Sequence, residues 1–393
     1  MISIEEAQAR IFALKAPVSV ETVTLLEAAG RWAAEEVVAL RTQPARDLSA
    51  MDGYAVHFAD AAGPWRVIGE SAAGKRFPGF VGAGDTVRIF TGAVVPDGAD
   101  SVIIQENVAR DGHTVTLTGD SLSKIGQNVR RKGADFQLGT TLISKGADLH
   151  ARHIALAAMA GHGTLAVRRR LKVAVVSTGD ELVPPGRACA EDQIPSSNDV
   201  MLAAMLRDMP VDVMVVHAVA DDLSALTAQF TALIDHDIIV TTGGASVGDH
   251  DLIAPALKAA GGKIDFWKIA MRPGKPVIAG PIGDTVLLGL PGNPVSAYVT
   301  ALLFLLPLIR HLGGASLPLP KRLTAILGAD LPANGARTDH LRASVVDGVI
   351  TPIGVNDSAM LAALSLSNAL IIREIDSGAV ANGVKVPYYA LPS

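Results

Sequence analysis

Residues 237–251, DIIVTTGGASVGDHD, combine a short β-branched segment with a loop that contains three glycines and then a cluster of acids. An apolar run this short that ends in glycine is typical of a buried strand rather than a helix. Gly243, Gly244 and Gly248 can adopt positive φ and expose backbone N–H groups, so the loop can wrap closely around an anion. The stretch therefore predicts a buried strand that leads into an anion-binding loop.

Two carboxylates close this loop and admit two interpretations. Asp249 and Asp251 lie where the next helix should begin, and an acid at that position can simply cap the helix. A glycine-rich loop directly before two acids also suits a phosphate that is bound together with a divalent cation. No Gly-Lys-Ser/Thr sequence follows, so the loop is not a P-loop.

Strands and helices alternate around this stretch, which predicts a mainly parallel, doubly wound α/β sheet. We expect Asn198 to cap one helix and Gly313-Gly314 to stop the last one. The predicted strands cover 172–177, 211–219, 237–241 and 263–270, with a hairpin of 276–279 and 285–290. The predicted helices cover 198–209, 221–234, a segment that ends at 260, and 295–312.

Five polar loops fall at the carboxyl ends of these strands, where ligands bind in such sheets. The loops are 178–181 (TGDE), 221–222 (DD), 243–251, 272–275 (RPGK) and 291–294 (PGNP). Their acids suit Mg²⁺, which prefers oxygen ligands, and the nearby cations suit a phosphate. The acids are Glu181, Asp221, Asp249 and Asp251, and the cations are Lys268, Arg272 and Lys275.

Helical and β-prone segments surround this α/β region. The chain begins with a predicted amphipathic helix over 3–14, with Ser3 as its N-cap and Glu6 as the capping-box partner. The spacing of His150 and His153 could hold a metal, but without a third ligand nearby we expect surface residues near a helix start. Further helices are predicted at 25–28 and 149–160. The β-prone runs before about residue 141 predict a small barrel or sandwich, with a hairpin turn at 111–112. A second β domain is predicted near the end of the chain, with strands at 341–346, 349–352 and 370–375.

Polar patches interrupt the first β region. In 47–56, DLSAMDGYAV, an Asx-type turn accounts for Asp52-Gly53 but leaves Asp47, Ser49 and Tyr54 without a role. The runs 88–91 and 128–135 (NVRRKGAD) also carry charge, although edge strands often do so to avoid association. A third patch, 356–358 (NDS), lies in the last domain.

Composition limits the functional classes. With 393 residues, 49% of them hydrophobic and 19% charged, the chain should form more than one globular domain. The formal charge of -5 shows none of the basic excess of nucleic-acid-binding proteins. Cys189 is the only cysteine, which excludes a disulfide framework and a Cys-rich metal site. The acidic start is not a signal peptide, and 295–309 is shorter than the ~20 residues that span a bilayer, so we expect a soluble cytoplasmic protein.

Seven motifs in a fixed order resemble the MoeA-type molybdopterin molybdotransferase family, which is related to the E domain of gephyrin. They are DLSAMDGYAV, RIFTGAVVPDGAD, NVRRKGAD, STGDEL, TTGGASVGDHD, KIAMRPGKP and GLPGNPVSA, spread over most of the chain. The resemblance implies an elongated helical domain built from 1–46 and 141–168, an inserted β domain over 47–140, a molybdopterin-binding α/β domain over 169–316, and a C-terminal β domain over 317–393. It also implies a cytoplasmic homodimer with an active site shared between subunits, and transfer complexes with the molybdopterin adenylyltransferase and molybdoenzyme chaperones.

The resemblance further implies which residues act. Two positions depart from the family pattern: Arg272 stands where lysine is frequent, which replaces a point charge by a planar fork, and Ala359 follows Ser358 where histidine is frequent. Catalytic roles fall on Asp52, Thr91, Glu181, Asp221 and Asp251, with Glu181, Asp221, Asp249 and Asp251 as metal ligands. Substrate binding falls on Arg130, Asp135, Gly243, Gly244, Ser246, Lys268, Arg272, Lys275, Pro291, Pro294 and Ser358.

The implied reaction joins molybdate to adenylylated molybdopterin, with Mg²⁺, and yields molybdenum cofactor and AMP. Breaking a pyrophosphate bond requires charge neutralisation and a positioned oxygen more than a protein nucleophile, and these polar residues suit that task. Three alternatives stay open: an adenylyltransferase of the same pathway, a non-catalytic scaffold that binds pterin, and a variant that prefers tungstate.

Overall fold

A six-stranded sheet forms the centre of the molecule. The computed structural model describes residues 1–244, 252–354 and 357–392, apart from the side chain of Trp267. Four neighbouring strands are parallel and the last two join antiparallel, which confirms the predicted mainly parallel sheet and its hairpin. In spatial order the strands are Val211–Val219, Leu171–Thr178, Ile238–Thr242, Thr285–Leu290, Pro276–Ile282 and Phe266–Lys268.

Helices cover both faces of this sheet, as predicted for a doubly wound fold. Along the strand Leu171–Thr178, Val173 and Val175 pack on one face, whereas Ala174 and Val176 pack on the other. Both sets are fully buried, as expected for a parallel strand between two helical layers. The first face carries Ile4–Ala13, Asn198–Leu206, Pro294–Thr300, the π-helical turn Ala301–Leu305 and Leu306–Leu312; the second carries Leu223–Ala232 and Ile253–Ala259.

Segments that are distant in sequence join into a small helical unit with short ladders. Val20–Thr24 pairs with Thr164–Arg168, and Val37–Val38 pairs with Thr141–Ile143. The helices Leu25–Ala28 and Ala151–Met159 pack with them around one apolar cluster. His150 and His153 stack on each other at 5.9 Å, with both side chains at the start of a helix, as expected for surface residues. The exact domain boundaries remain predictions.

One of the two predicted contacts that cap the first helix is present and the other is not. Ser3 accepts a hydrogen bond from the Glu6 N–H at 3.0 Å, which confirms the N-cap. The capping-box role of Glu6 is wrong, because its carboxylate accepts from Arg10 one turn later at 2.6 Å. A reciprocal capping box forms instead at the helix Leu25–Ala28, between Thr24 and Glu27. An i,i+4 ion pair thus competes successfully with a local cap.

The stretch between the two halves of the helical unit is a six-stranded mixed sheet with an accessory ladder. The predicted hairpin is present, with Asp111 opposite Thr114. The ladder joins Leu48–Ser49 to Val129–Arg130, and 3₁₀ turns lie at Phe58–Asp60 and Gln105–Asn107. The sheet order is Ser101–Ile104, Gly53–Val56, Asp85–Ile89, Trp65–Ser71, Thr114–Leu117 and Val108–Asp111.

The last domain is a closed barrel, because the strand Thr338–Val346 pairs on one side with Val349–Pro352 and on the other with Ala369–Arg373. The α/β region adds the strand Met271–Arg272 in parallel beside Thr338 and Asp339. The barrel follows the order Thr338–Val346, Val349–Pro352, Arg322–Leu327, Lys385–Ala390 and Ala369–Arg373, with one helix at Leu361–Ser365.

The long apolar helix Pro294–Leu312 contains Pro307, which leaves a backbone carbonyl without its usual hydrogen-bond donor. Within the described residues, Pro294–Leu312 alone is long and apolar enough to cross a membrane, but 83% of its most apolar window is buried in the protein, as in a core helix. Pro307 lacks the N–H that would normally bond the Leu303 carbonyl. The buried amide of Gln8 donates to that carbonyl at 2.9 Å. The first helix therefore satisfies a backbone acceptor that the proline leaves open.

Asp237 anchors the central strand at its amino end. Its carboxylate accepts from Arg169 at 2.7 and 2.8 Å, from Lys15 at 2.7 Å and from the Lys172 N–H at 2.9 Å. Burial would raise the pKa of Asp237, but these hydrogen bonds outweigh it and lower the pKa to about 2. The carboxylate therefore stays ionised at neutral pH and links three segments.

We expect Gln8→Leu to lower the free energy of unfolding by about 1 to 3 kcal/mol, because it leaves a buried carbonyl without a donor. Urea unfolding measures the change. In a Pro307→Ala background, which restores the missing N–H, the same substitution should cost clearly less. An equal cost in both backgrounds would show that the proline is not the reason for the Gln8 contact.

We expect Asp237→Asn to reduce stability by about 2 kcal/mol at pH 7. Because the folded pKa of about 2 lies below the ordinary value of 3.8, the contribution of the carboxylate is complete above pH 4 and is lost as pH falls toward 2. Urea unfolding between pH 7 and pH 3 should therefore show a smaller loss of stability on acidification for Asp237→Asn than for the wild type. The exposed Asp235, changed to Asn, is the matched control and should behave as the wild type does.

Candidate functional site

Hydroxyl groups and glycines end the central strands at their carboxyl edge. Ser177 Oγ lies 3.4 Å from Thr242 Oγ1, and Thr178 Oγ1 donates to the Thr242 carbonyl at 3.4 Å. Gly243 follows with φ of 97°, and a Cβ there would lie 2.5 Å from the Thr178 carbonyl oxygen. Only glycine fits this approach, so the predicted close turn is present at its first residues. The predicted site residues Ser246, Asp249 and Asp251 lie outside the described residues.

Two acidic turns adjoin at this edge. Asp180 Oδ1 accepts from the Asp221 N–H at 3.2 Å, and the Glu181 carboxylate folds over Gly179. Both Glu181 and Asp221 are exposed. Their carboxylates are the oxygen donors that Mg²⁺ takes from proteins, usually one or two together with water and substrate phosphate. In the described ranges no three His, Cys, Asp or Glu side chains cluster.

The Pro-Gly-Asn-Pro turn connects this edge to the C-terminal barrel. Pro291 is buried, and Pro294 is the first residue of its helix, one residue before the predicted start. Asn293 Nδ2 donates to Ser358 Oγ at 2.9 Å, and the Val295 N–H donates to the Ser358 carbonyl at 3.1 Å. Ser358 therefore lies at the start of the helix, next to the sheet edge.

Asn198 also contacts this turn, and its predicted role as a cap is wrong. It is the first helical residue, and its side chain donates to the Gly292 carbonyl at 2.7 Å instead of capping. Its Oδ1 and the buried Ser196 Oγ have no hydrogen-bond partner in the part of the chain that the structure describes. The Ser-Ser-Asn sequence before the apolar helix indicates polar side chains at this turn, but the same sequence also fits an ordinary helix cap.

A cavity of about 240 Å³ lies between the α/β region and the barrel. Arg272 lines it, but its Nε donates to Asp339 Oδ1 at 2.7 Å and its Nη2 bonds the second carboxylate oxygen. This pairing raises the pKa of Arg272 and occupies the fork that we expected to hold an oxyanion. The cavity is also lined by His340, Arg342, Ser358 and Arg373, of which only Ser358 was predicted.

The missed cavity residues are buried members of barrel strands. Burial lowers the pKa of His340 to about 4, so its ring is neutral at pH 7. Arg342 donates to the carbonyls of Met360 and Asp357 at 2.9 and 3.0 Å. Burial lowers the pKa of Arg342, and the nearby Asp357 partly offsets that effect. A basic residue inside or at the end of a β-prone strand resembles a solvated edge residue, so sequence patterns did not distinguish these residues.

The two predicted lysines lie on either side of the Arg272 loop. Lys268 ends the strand Phe266–Lys268 opposite Pro276, and the Ile269 N–H donates to the Lys275 carbonyl at 3.0 Å. Both lysine side chains are exposed. The backbone pairing therefore keeps these two cations close to each other in register.

A second group of predicted residues lies in the inserted β sheet. Asp52 accepts from the Thr91 N–H at 2.7 Å and from its hydroxyl at 2.8 Å, and these bonds lower the pKa of Asp52. Arg130 and Asp135 line a cleft of about 590 Å³ with Gln43. This cleft shares no lining residue with the cavity beside Arg272. The predicted site thus forms two separate polar regions.

Family models match the chain in three consecutive parts. The MoeA N-terminal region (domain I and II) matches residues 2–161, a probable molybdopterin binding domain matches 174–311, and the MoeA C-terminal region (domain IV) matches 324–391. The order of the three regions corresponds to the order of the β and α/β units in the structure.

Relatives match over nearly the whole chain. A molybdopterin molybdenumtransferase of Haemophilus influenzae is 34% identical and is covered to 98%, as is this chain. One of Nostoc sp. is also 34% identical, with 95% of this chain and 89% of the relative covered. The crystal structure of a molybdopterin biosynthesis MoeA protein from Pyrococcus horikoshii superposes with a TM-score of 0.86 at 25% identity, covering 100% of both chains. The chain belongs to the MoeA family of molybdopterin molybdenumtransferases.

Proposed function

We propose that the chain inserts molybdate into adenylylated molybdopterin and releases AMP, which forms the molybdenum cofactor. The observation that carries this proposal is the position of Ser358. It bonds the Pro-Gly-Asn-Pro turn at the sheet edge and also lines the cationic cavity. A pterin phosphate at the glycine-rich edge and an oxyanion in the cavity would therefore be neighbours.

The sheet edge is proposed to hold the pyrophosphate of the substrate. Gly243 and Gly244 bring backbone close to it, and Lys268 and Lys275 supply positive charge for its oxygens. Glu181 and Asp221 would hold Mg²⁺, which neutralises phosphate charge when it is bound. The carboxylates also orient the attacking oxygen, which belongs to water or molybdate. This oxygen forms a new bond to one phosphorus of the pyrophosphate while the bond from that phosphorus to the bridging oxygen breaks, which separates AMP from the pterin phosphate.

The cavity is proposed to receive molybdate. Its lining contains Arg342, Arg373 and Ser358, which would place two guanidinium charges and a hydroxyl donor near the oxygen atoms. Arg272 would form part of the cavity wall together with Asp339 and would not bind molybdate through Nε or Nη2, because both atoms already bond Asp339. Tungstate has the same charge and shape, so the preference between the two metals is left to a competition experiment.

A homodimer is proposed to complete the site. Asp52, Thr91, Arg130 and Asp135 form a polar region of their own, with a cleft separate from the cavity. In a shared site, this region of one subunit would face the sheet edge of its partner and close over the nucleotide. A cytoplasmic location and transfer complexes with the molybdopterin adenylyltransferase and molybdoenzyme chaperones belong to the same proposal.

Two other functions predict different products. An adenylyltransferase would consume ATP and release pyrophosphate, but the match to MoeA N- and C-terminal regions favours the transferase. A scaffold would bind pterin and release neither AMP nor cofactor. Incubation with adenylylated molybdopterin, Mg²⁺ and molybdate identifies the transferase, which alone releases AMP and incorporates molybdenum in equal amounts. A second incubation with molybdopterin, ATP and Mg²⁺ separates the other two, since only the adenylyltransferase releases pyrophosphate.

We expect Glu181→Gln to reduce AMP release by about 100-fold, since it removes one charge that positions the cation and the attacking oxygen. The Mg²⁺ concentration for half-maximal rate should rise as well. Glu191→Gln changes an exposed acid in the following loop and serves as the matched control, with an unaltered rate expected. Full activity of Glu181→Gln would remove this residue from the site.

We expect subunit mixing to restore activity to two inactive variants. In a dimer with shared sites, Arg130→Gln and Glu181→Gln subunits form mixed dimers in which one of two sites is intact. Equimolar random mixing should give about a quarter of wild-type AMP release, since half of the dimers are mixed. Each variant alone is the control. Inactive mixtures, with mixed dimers verified by two affinity tags, would place both residues in one subunit's site.

A further inference from the structure

The guanidinium of Arg373 is buried, and every group that accepts a hydrogen bond from it is neutral. The residue is 4% exposed and lines the cavity between the α/β region and the barrel. Its Nη2 donates to the carbonyls of Pro332 and Gly378 at 3.0 and 2.5 Å, and its Nε donates to the Ser377 hydroxyl at 3.4 Å. Its Nη1 is buried without a partner in the described ranges. None of these bonds supplies a negative charge.

The other charged groups of the cavity do not compensate for Arg373. Asp339 is the one carboxylate among the lining residues of the described chain, and both of its oxygens bind Arg272. Arg342 is 5% exposed and adds a second buried guanidinium. His340 is neutral at pH 7 because burial lowers its pKa to about 4. Asp357, which lies outside the lining, partly offsets the charge of Arg342. The lining itself keeps an excess of positive charge in a setting of low dielectric, which is costly unless an anion enters.

We propose that Arg373 makes this cavity selective for a doubly charged tetrahedral oxyanion over a singly charged one. The inference rests on the proposed function, which brings molybdate to the cavity. Coulomb attraction grows with the charge of the ligand, so a fixed wall charge stabilises a dianion about twice as much as a monoanion of equal size. Because Nη1 is buried and the other donor atoms already have partners, Arg373 acts on the anion through its charge rather than through a hydrogen bond.

A purely structural role makes a different prediction. The bonds of Arg373 to Pro332 and Gly378 hold two barrel loops together, and a neutral donor can make such bonds as well. Loss of this tether would disturb the cavity for every anion to the same extent. Loss of the charge affects the dianion more than the monoanion.

The test compares molybdate with perrhenate, two tetrahedral oxyanions that carry two charges and one charge. Titration calorimetry of the full chain with each anion gives the two dissociation constants. For Arg373→Gln, which keeps a neutral donor, we expect molybdate binding to weaken at least about tenfold and perrhenate binding about threefold. Arg373→Lys keeps the charge and should retain the preference for molybdate within about twofold.

Lys385→Gln is the control, since Lys385 is an exposed cation of the same barrel outside the cavity. It should leave both constants within about twofold of the wild type. Equal weakening of both anions by Arg373→Gln, or loss of the preference in Arg373→Lys, would overturn the inference while leaving the proposed function intact. If the wild type binds no molybdate at all, the cavity assignment in the proposed function fails with it. Should Arg373→Gln not fold, Arg373→Met serves as a second neutral variant and should show the same larger loss for molybdate than for perrhenate.

Discussion

The ion cluster around Asp237 is the constraint on which the arrangement of the molecule depends. The carboxylate lies at the amino end of the central strand, while the glycine turn lies at its carboxyl end. Lys15 follows the first helix, and Arg169 follows the last strand of the helical unit. A buried carboxylate that lost these partners would carry an uncompensated charge costing several kcal/mol. The helical unit is therefore fixed to the strand that delivers the proposed binding loop.

A second link works through the backbone rather than through charge. Pro294 and Pro307 lie in one long apolar stretch, and the first begins the helix at the sheet edge while the second interrupts its hydrogen bonds. Gln8 supplies the missing donor from the first helix. The amino-terminal helix thus supports the same element whose start bonds Ser358. Stability and the proposed site depend on one helix.

The sequence pattern predicted the α/β core well because a parallel sheet needs short apolar strands and a helix between successive strands, and both are visible in the sequence. The strand Val211–Val219 has the predicted bounds, and Asp222 caps the following helix. Prediction failed where several polar partners competed for one side chain. Glu6 pairs with Arg10, Asn198 bonds Gly292, and these choices depend on neighbours that local sequence does not specify. The cavity was missed for the same reason, since Arg342 and Arg373 come to line it only when the barrel closes.

The ladder between Val37–Val38 and Thr141–Ile143 has a consequence for how such a chain can change over time. It holds the entry and exit of the inserted β sheet side by side. Because the two connections of the inserted β sheet lie side by side in the helical unit, replacing the sheet requires no long linker and leaves the packing of the helical unit nearly unchanged. The β sheet with Asp52 and Arg130 is therefore a module that recombination could replace as one cassette, while the helical unit closes beneath it.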